Sequence, residues 1–155
     1  MFIYVILAII FCIFMCLSIY VITIYNKLKT YKNEVDKLWN SLRLNIESQF
    51  KFIKANIDNL NNVDKFYLKD LIDNYMILAY TEEVMNSYID LEIILDKSDD
   101  SEIKSRFITK NAEINNLKTD YNNVLLRYNN VINMIPNKII ANIFHFNEGV
   151  WFRSK

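Results

Sequence analysis

The residues able to do chemistry are few. Asp96, Ser98 and Asp100 alternate like the first ligands of a calcium loop. The sixth position of such a loop would be Ser101, where the sharp turn needs Gly, and the twelfth would be Phe107, where a bidentate Glu belongs. A solvated turn with a helix cap accounts for the same residues. Di-metal helical proteins need a Glu-x-x-His pair on two helices. The chain has one His, His145, and Asn142 stands three residues before it. The acid pairs Glu82–Glu83 and Asp99–Asp100 are adjacent, so their carboxylates diverge and cannot share an acid–base task. A Ser–His–acid relay would have to recruit His145, and nothing in the sequence positions it. The reading is therefore a protein without catalytic residues, cofactor or metal, and without a small-molecule substrate.

Composition narrows the field further. Eighteen Lys and Arg balance eighteen Asp and Glu, which removes the basic footprint of a nucleic-acid binder. One Gly and one Pro in 155 residues argue against barrels, sandwiches and Gly-rich phosphate loops, whose turns need positive φ or close backbone approach. Cys12 and Cys16 both lie inside the opening apolar stretch, so the rest of the chain has no disulfide framework. They read as lipid-facing or packed bystanders. Asparagine is frequent, at 21 residues, much of it within helical patterns where its amides would line solvent faces.

From Met1 to Asn26 no side chain is charged, and only Ser18, Thr23 and Asn26 are polar. About 20 apolar residues rising 1.5 Å each cross a hydrocarbon core of about 30 Å, so residues 1–26 are long enough to span a bilayer. Ser18 and Thr23 can return their hydroxyls to the helix backbone, and Tyr20 and Tyr25 suit an interfacial anchor. A cleaved signal peptide is disfavoured, because a basic start and a small-x-small cleavage site are both missing. Lys27, Lys29 and Lys32 precede the first acid, Glu34, so the positive-inside rule favours a cytoplasmic C-terminal domain. These lysines can also touch lipid headgroups, at roughly 1 kcal/mol each.

Beyond residue 26 the apolar residues return every three or four positions, which places them on one stripe of a helix. The first stripe is Leu28, Tyr31, Val35, Leu38, Leu42, Ile46, Phe50, Ile53, Ile57 and Leu60, continuous with the membrane span. Asn59, Asn61 and Asn62 break it, and Asp64 can cap the next helix. A second segment, about 64–96, carries Leu68, Leu71, Tyr75, Leu78, Val84, Tyr88, Leu91 and Leu95. After the polar turn 96–102, where Asp99 and Glu102 suggest a capping box, a third carries Ile103, Phe107, Ile114, Leu117, Tyr121, Leu125, Tyr128, Ile132 and Ile135 up to Pro136.

The predicted fold is all-α: a transmembrane anchor (1–26), an antiparallel bundle of three long helices (27–136) and a short C-terminal helix or tail (137–155). Short links make consecutive helices antiparallel. Three passes would start the tail at the end of the bundle far from the bilayer. Its Ile139, Ile140, Ile143, Phe144, Phe146, Trp151 and Phe152 form too much apolar surface to leave bare, so the tail is expected to fold back over that distal end.

Two Tyr-Asn pairs, Tyr121-Asn122 and Tyr128-Asn129, recur seven residues apart, with Ile135-Pro136, Ile140-Ala141 and Phe144-His145-Phe146 beyond them. This resembles the C-terminal signature of the LemA family, in which two Tyr-Asn pairs precede a Phe-Pro, an Ile-Ala and a Phe-Gly-Phe. Tyr25-Asn26 and the run Val35, Trp39, Ser41 resemble that family's N-terminal pattern. The likeness covers about residues 1–57 and 117–152. The chain departs from the pattern at Gln49-Phe50-Lys51-Phe52-Ile53-Lys54, where the family has a proline-containing basic stretch, and at Ile135 and His145, where it has Phe and Gly. These departures mark a divergent member. The resemblance implies a membrane-tethered antiparallel helical bundle and no catalytic residues.

Physically, the Tyr-Asn pairs suit a structural task. Tyr121 and Tyr128 share a face with Leu117 and Leu125, so each ring can be buried while its hydroxyl finds a partner. Asn122 and Asn129 lie at the flank, where an amide can bridge to a neighbouring helix and fix register. The interaction candidates are thus Tyr121, Asn122, Tyr128, Asn129, Pro136, Phe144, Phe146 and Trp151. The expected partners are the lipid bilayer and either a second copy or another membrane-associated protein. Two functions fit: a non-enzymatic membrane-tethered structural or protein-interaction module, or an anchored sensor or tether whose bundle opens to bind a partner helix.

Overall fold

The computed structural model describes residues 1–61, 63–75, 78 and 81–152. Asn62 of the expected first turn and the last three residues of the expected tail lie outside the described residues. Among the described residues the chain is helical and has no strand. Helix α1 runs unbroken from Phe2 to Asn56 and ends in a 3-10 turn, Ile57–Asn59. The later helices are α2 (Lys65–Tyr75), α3 (Thr81–Asp96), α4 (Ser101–Asn133) and α5 (Asn137–Ile143).

The chain divides into two compact units, Met1–Val35 with Val124–Gly149, and Asp36–Asn123 with Val150–Lys155. In the first, α1 contributes Ile24, Leu28 and Val35 to a core completed by Leu125, Tyr128, Ile132, Ile140 and Ala141. The opening stretch takes no part in it: the large apolar side chains from Met1 to Ile22 are exposed, and this helix is long and apolar enough to cross a membrane. Ser18 and Thr23 donate their hydroxyls to the carbonyls of Phe14 and Ile19, as the sequence implies. In the second unit the stripes Leu42–Ile46–Phe50–Ile53, Leu68–Ile72–Tyr75, Val84–Tyr88–Leu91–Leu95 and Phe107–Ile114–Tyr121 are all buried. Phe50 and Tyr75 stack with centroids 3.8 Å apart, and burial, with Glu47 adding, pushes the Tyr75 hydroxyl up to about 12.

Where the sequence suggests one helix over 64–96, the structure has two. Leu78 lies outside both α2 and α3, and the Arg43 guanidinium donates to its carbonyl at 3.1 Å. Residues 76, 77, 79 and 80 of the expected segment lie outside the described residues; at the start of α3, Thr81 with Glu82 and Glu83 is favourable, acids lying at the positive end. Helix α2 packs against α3.

Caps obey elementary rules. Asp64 Oδ1 accepts the Tyr67 amide at 3.0 Å, capping α2 as expected. At α4 the cap is Asp100 rather than Asp99: its Oδ1 accepts the Ile103 amide at 2.8 Å, because Ser98 Oγ already holds the Asp100 amide and sets the turn one residue later. The residues that resemble a calcium loop are therefore spent on a turn, with Ser98 buried and donating to the Asn61 carbonyl.

The C-terminal region differs most from expectation. Helix α4 ends at Asn133, Pro136 occupies the N-cap of α5, and the Ile135–Pro136 bond is cis. Beyond α5 come a turn at 144–145 and then residues 146–152, which belong to neither helix nor strand. This tail also sits elsewhere than at a distal end: the rings of Phe144 and Phe146 lie 4.8 and 5.7 Å from that of Tyr25, in the last turn of the charge-free run 1–26.

Candidate functional site

The two Tyr-Asn pairs on α4 hold the extended tail. In the first unit, Tyr128 Oη donates to the Asn147 carbonyl at 3.0 Å. Asn129 accepts the Gly149 amide on Oδ1 at 3.1 Å, with its Nδ2 3.5 Å from the Gly149 carbonyl. In the second unit, Tyr121 Oη donates to the Val150 carbonyl at 2.8 Å. Asn122 accepts the Phe152 amide at 3.0 Å and donates back to the Phe152 carbonyl at 2.8 Å. Each asparagine thus offers one donor and one acceptor to a single residue's main chain, as a neighbouring β-strand would. The amides bond to the tail rather than to a neighbouring helix, since a side-chain amide matches the paired N–H and C=O of an extended residue and a helix backbone has none to spare.

The pairing is the same in each unit: Asn129 takes Gly149 in the first, and Asn122 takes Phe152 in the second. Gly149 is favoured on steric grounds: a Cβ there would run into the side chain of Leu125, which is fully buried and would have to shift.

The turn leading into the tail is equally defined. The Phe146 amide donates to the Ala141 carbonyl at 2.9 Å and the His145 amide to Asn142 at 3.4 Å, the paired bonds of a Schellman C-cap. His145 occupies its left-handed position with φ 57°. The lone histidine thus serves the backbone. Among the described residues no group of three or more His, Cys, Asp or Glu could hold a metal ion.

Of the expected interaction residues, Tyr121, Asn122, Tyr128 and Asn129 all engage the tail, and the two tyrosine rings are buried. Burial, with the Asp36 carboxylate adding, raises the Tyr121 hydroxyl to about 12, and its ring lies 5.9 Å from Trp39. Phe144 and Phe146 meet Tyr25, Pro136 is exposed at the start of α5, and Trp151 is partly exposed.

Sequence reasoning missed Lys118 and the place of Phe152. Lys118 is buried, with Nζ 4.8 Å from the Tyr88 ring centre, 4.7 Å from that of Phe152, and 3.3 Å from Glu92 Oε1. Burial lowers its pKa while Glu92 pulls the other way. Two π faces and one carboxylate together offset the desolvation of the ammonium. Lys118 falls four residues after Ile114 on the buried stripe of α4, so a charged residue at a core position was the available signal. Tyr88 completes this cluster by donating to Asn111 Oδ1 at 2.7 Å. Beside it runs a groove of about 640 Å³ between α3 and α4, rimmed by Ile89, Ile93 and Ile108 and floored by Glu92, Lys118 and Phe152.

No family model, curated protein or solved structure matches the chain. Its chemistry must therefore be read from the site itself. The polar groups of the Tyr-Asn pairs and of the Lys118 cluster are engaged with one another or with main chain, an arrangement that holds segments in place. One exception elsewhere is Gln49, a buried side chain whose Nε2 has no hydrogen-bond partner among the described residues.

Proposed function

We propose that the protein is a single-pass membrane protein, a divergent relative of the LemA family, whose non-enzymatic helical domain serves as a structural or protein-interaction module. The observation that carries this reading is the contrast within α1. Its first 22 residues are charge-free with their large apolar side chains exposed, while the same helix further on buries Leu28, Val35, Leu42, Ile46, Phe50 and Ile53. A helix bare of partners over that length needs a non-aqueous one, and a bilayer fits its length.

In this reading α1, the α2–α3 hairpin and α4 pack as an antiparallel bundle, and the lysines at 27, 29 and 32 keep it on the cytoplasmic side. The LemA resemblance gains a physical basis from two positions. Each Tyr-Asn pair bonds to main chain of the tail, and His145 stands in a left-handed conformation where the family pattern has Gly. Partners would be a second copy or another membrane-associated protein. The groove between α3 and α4, with its isoleucine rim, favours the second reading, a tether that opens to receive a partner helix.

Alkaline carbonate extraction of membranes carrying the full chain tests the anchor. The chain should stay in the pellet. Ile9→Lys with Ile13→Lys, each costing about 2.5–3.5 kcal/mol at a helix centre on insertion scales, should release it. Release of the unaltered chain would overturn the proposal. Crosslinking in intact membranes identifies the neighbours and separates self-association from a foreign partner.

A further inference from the structure

We infer that α5 and the turns flanking it form a second contact with the bilayer surface, beside the span. This rests on the membrane-anchoring reading above. The first observation is an apolar stripe that the fold does not use. Within α5, Ile140 and Ala141 face the core, whereas Ile139 and Ile143, four residues apart, are 59% and 63% exposed, and Ile135 in the turn before the helix is 83% exposed. Met134 and Phe144 extend the patch at 58% and 45%. Isolated exposed apolar residues are ordinary, but five within eleven positions form a patch of the kind that marks an interaction surface.

The second observation says what covers it. Phe144 and Phe146 pack on Tyr25, so this patch belongs to the same compact unit as the charge-free run and lies where that run ends. If about 20 residues, 3–22, fill the hydrocarbon core, Tyr25 stands three residues above its edge, or about 4.5 Å. The polar headgroup layer is about 5–7 Å thick on each side. The rings touching Tyr25 are therefore at headgroup depth, where aromatic side chains concentrate. Lys29, whose Nζ lies 6.0 Å from the Tyr25 ring centre, supplies a cation at the same level, and α5 carries another, the exposed Lys138. A short helix with isoleucines on one side and lysine at its flank suits the boundary between headgroups and acyl chains. The patch continues the lipid-facing surface of α1, and a lipid surface is its occupant.

Nitroxide labels on the full chain in phosphatidylcholine–phosphatidylglycerol vesicles test this. Cysteines are placed singly at Leu17, Ile139, Ile143 and Asn116 in a Cys12→Ser, Cys16→Ser background, and collisions with oxygen and with a water-soluble nickel chelate are compared. These side chains are exposed, so labelling removes no core contact; circular dichroism checks that helicity is kept, and Met134→Cys or Phe144→Cys replaces any site that disturbs it. Labels at 139 and 143 should gain oxygen collisions and lose nickel collisions relative to 116, as the label at 17 does more strongly. If 139 and 143 behave like 116 while 17 is shielded, the second contact is refuted and the anchor stands. If both reagents are excluded at 139 and 143, a second copy covers the patch and the inference is overturned. If the nickel chelate reaches 17, the anchor fails and this contact with it.

Discussion

Replacing Asn122 with Ala removes both hydrogen bonds that hold Phe152, at 3.0 Å to its amide and 2.8 Å from its carbonyl. Such bonds contribute about 0.5–1.5 kcal/mol each net, so the local seat of the tail should weaken by about 1–3 kcal/mol. The core proper is untouched, because Asn122 is only half-buried and its ring neighbour Tyr121 keeps its own bond to Val150. A loss of about 1.4 kcal/mol is tenfold in an opening equilibrium, so amide hydrogen exchange at Phe152 should accelerate by roughly one to two orders of magnitude. Exchange at Gly149, held by Asn129, should change far less. Asn122→Asp is the informative control: it retains an acceptor for the Phe152 amide but loses the donor and sets a carboxylate against the Phe152 carbonyl, giving an intermediate acceleration or more. Exchange is monitored by mass spectrometry or amide NMR on the full chain in detergent. A Phe152 amide that already exchanges freely in the unaltered protein would refute the reasoning, as would equal acceleration at Gly149 and throughout α4.

Three further outcomes are expected. Gly149→Ala drives a methyl into buried Leu125 and should lower stability by about 1–3 kcal/mol, read as a fall in Tm. His145→Gly relieves a left-handed backbone and should raise stability by about 1 kcal/mol, whereas β-branched His145→Val should lower it. Tyr75 and Tyr121, both raised to about 12 by burial, should remain un-ionised in an ultraviolet titration as exposed tyrosines ionise near pH 10. Their folded pKa lies above the unfolded one, so the unfolded state releases these protons first. The stability they contribute is complete below about pH 10 and disappears as pH rises towards 12.

The stripes were legible because burial on a helix imposes a 3–4 rhythm, and residues such as Leu42, Ile46, Phe50, Leu91 and Leu125 are fully buried where that rhythm puts them. Asp64 was legible as a cap because a carboxylate before a helix has one obvious amide to accept. The place of Leu78 outside both helices was hidden: an apolar residue there satisfies the helix stripe, and Arg43, whose guanidinium donates to its carbonyl, is 35 residues away in sequence. The Tyr-Asn pairs were recognised as structural, yet their partner was not, because they bind main-chain groups and main chain leaves no trace in side-chain identity. Gly149 was the available hint, being the chain's one glycine and set opposite a repeat. Lys118 was passed over for the opposite reason: a lysine within a stripe looks like a solvated flank until Tyr88, Phe152 and Glu92 are seen around it.

The most direct measurement is hydrogen–deuterium exchange on the full chain in lipid nanodiscs. Peptides covering residues 3–22 should take up almost no deuterium over hours, since a lipid-embedded backbone has neither water nor a reason to open, while the turn at 97–100, held only by single turn bonds, exchanges far sooner. Deuterium uptake over 3–22 as rapid as that of the turn would contradict the account, because it would place the charge-free half of α1 in water.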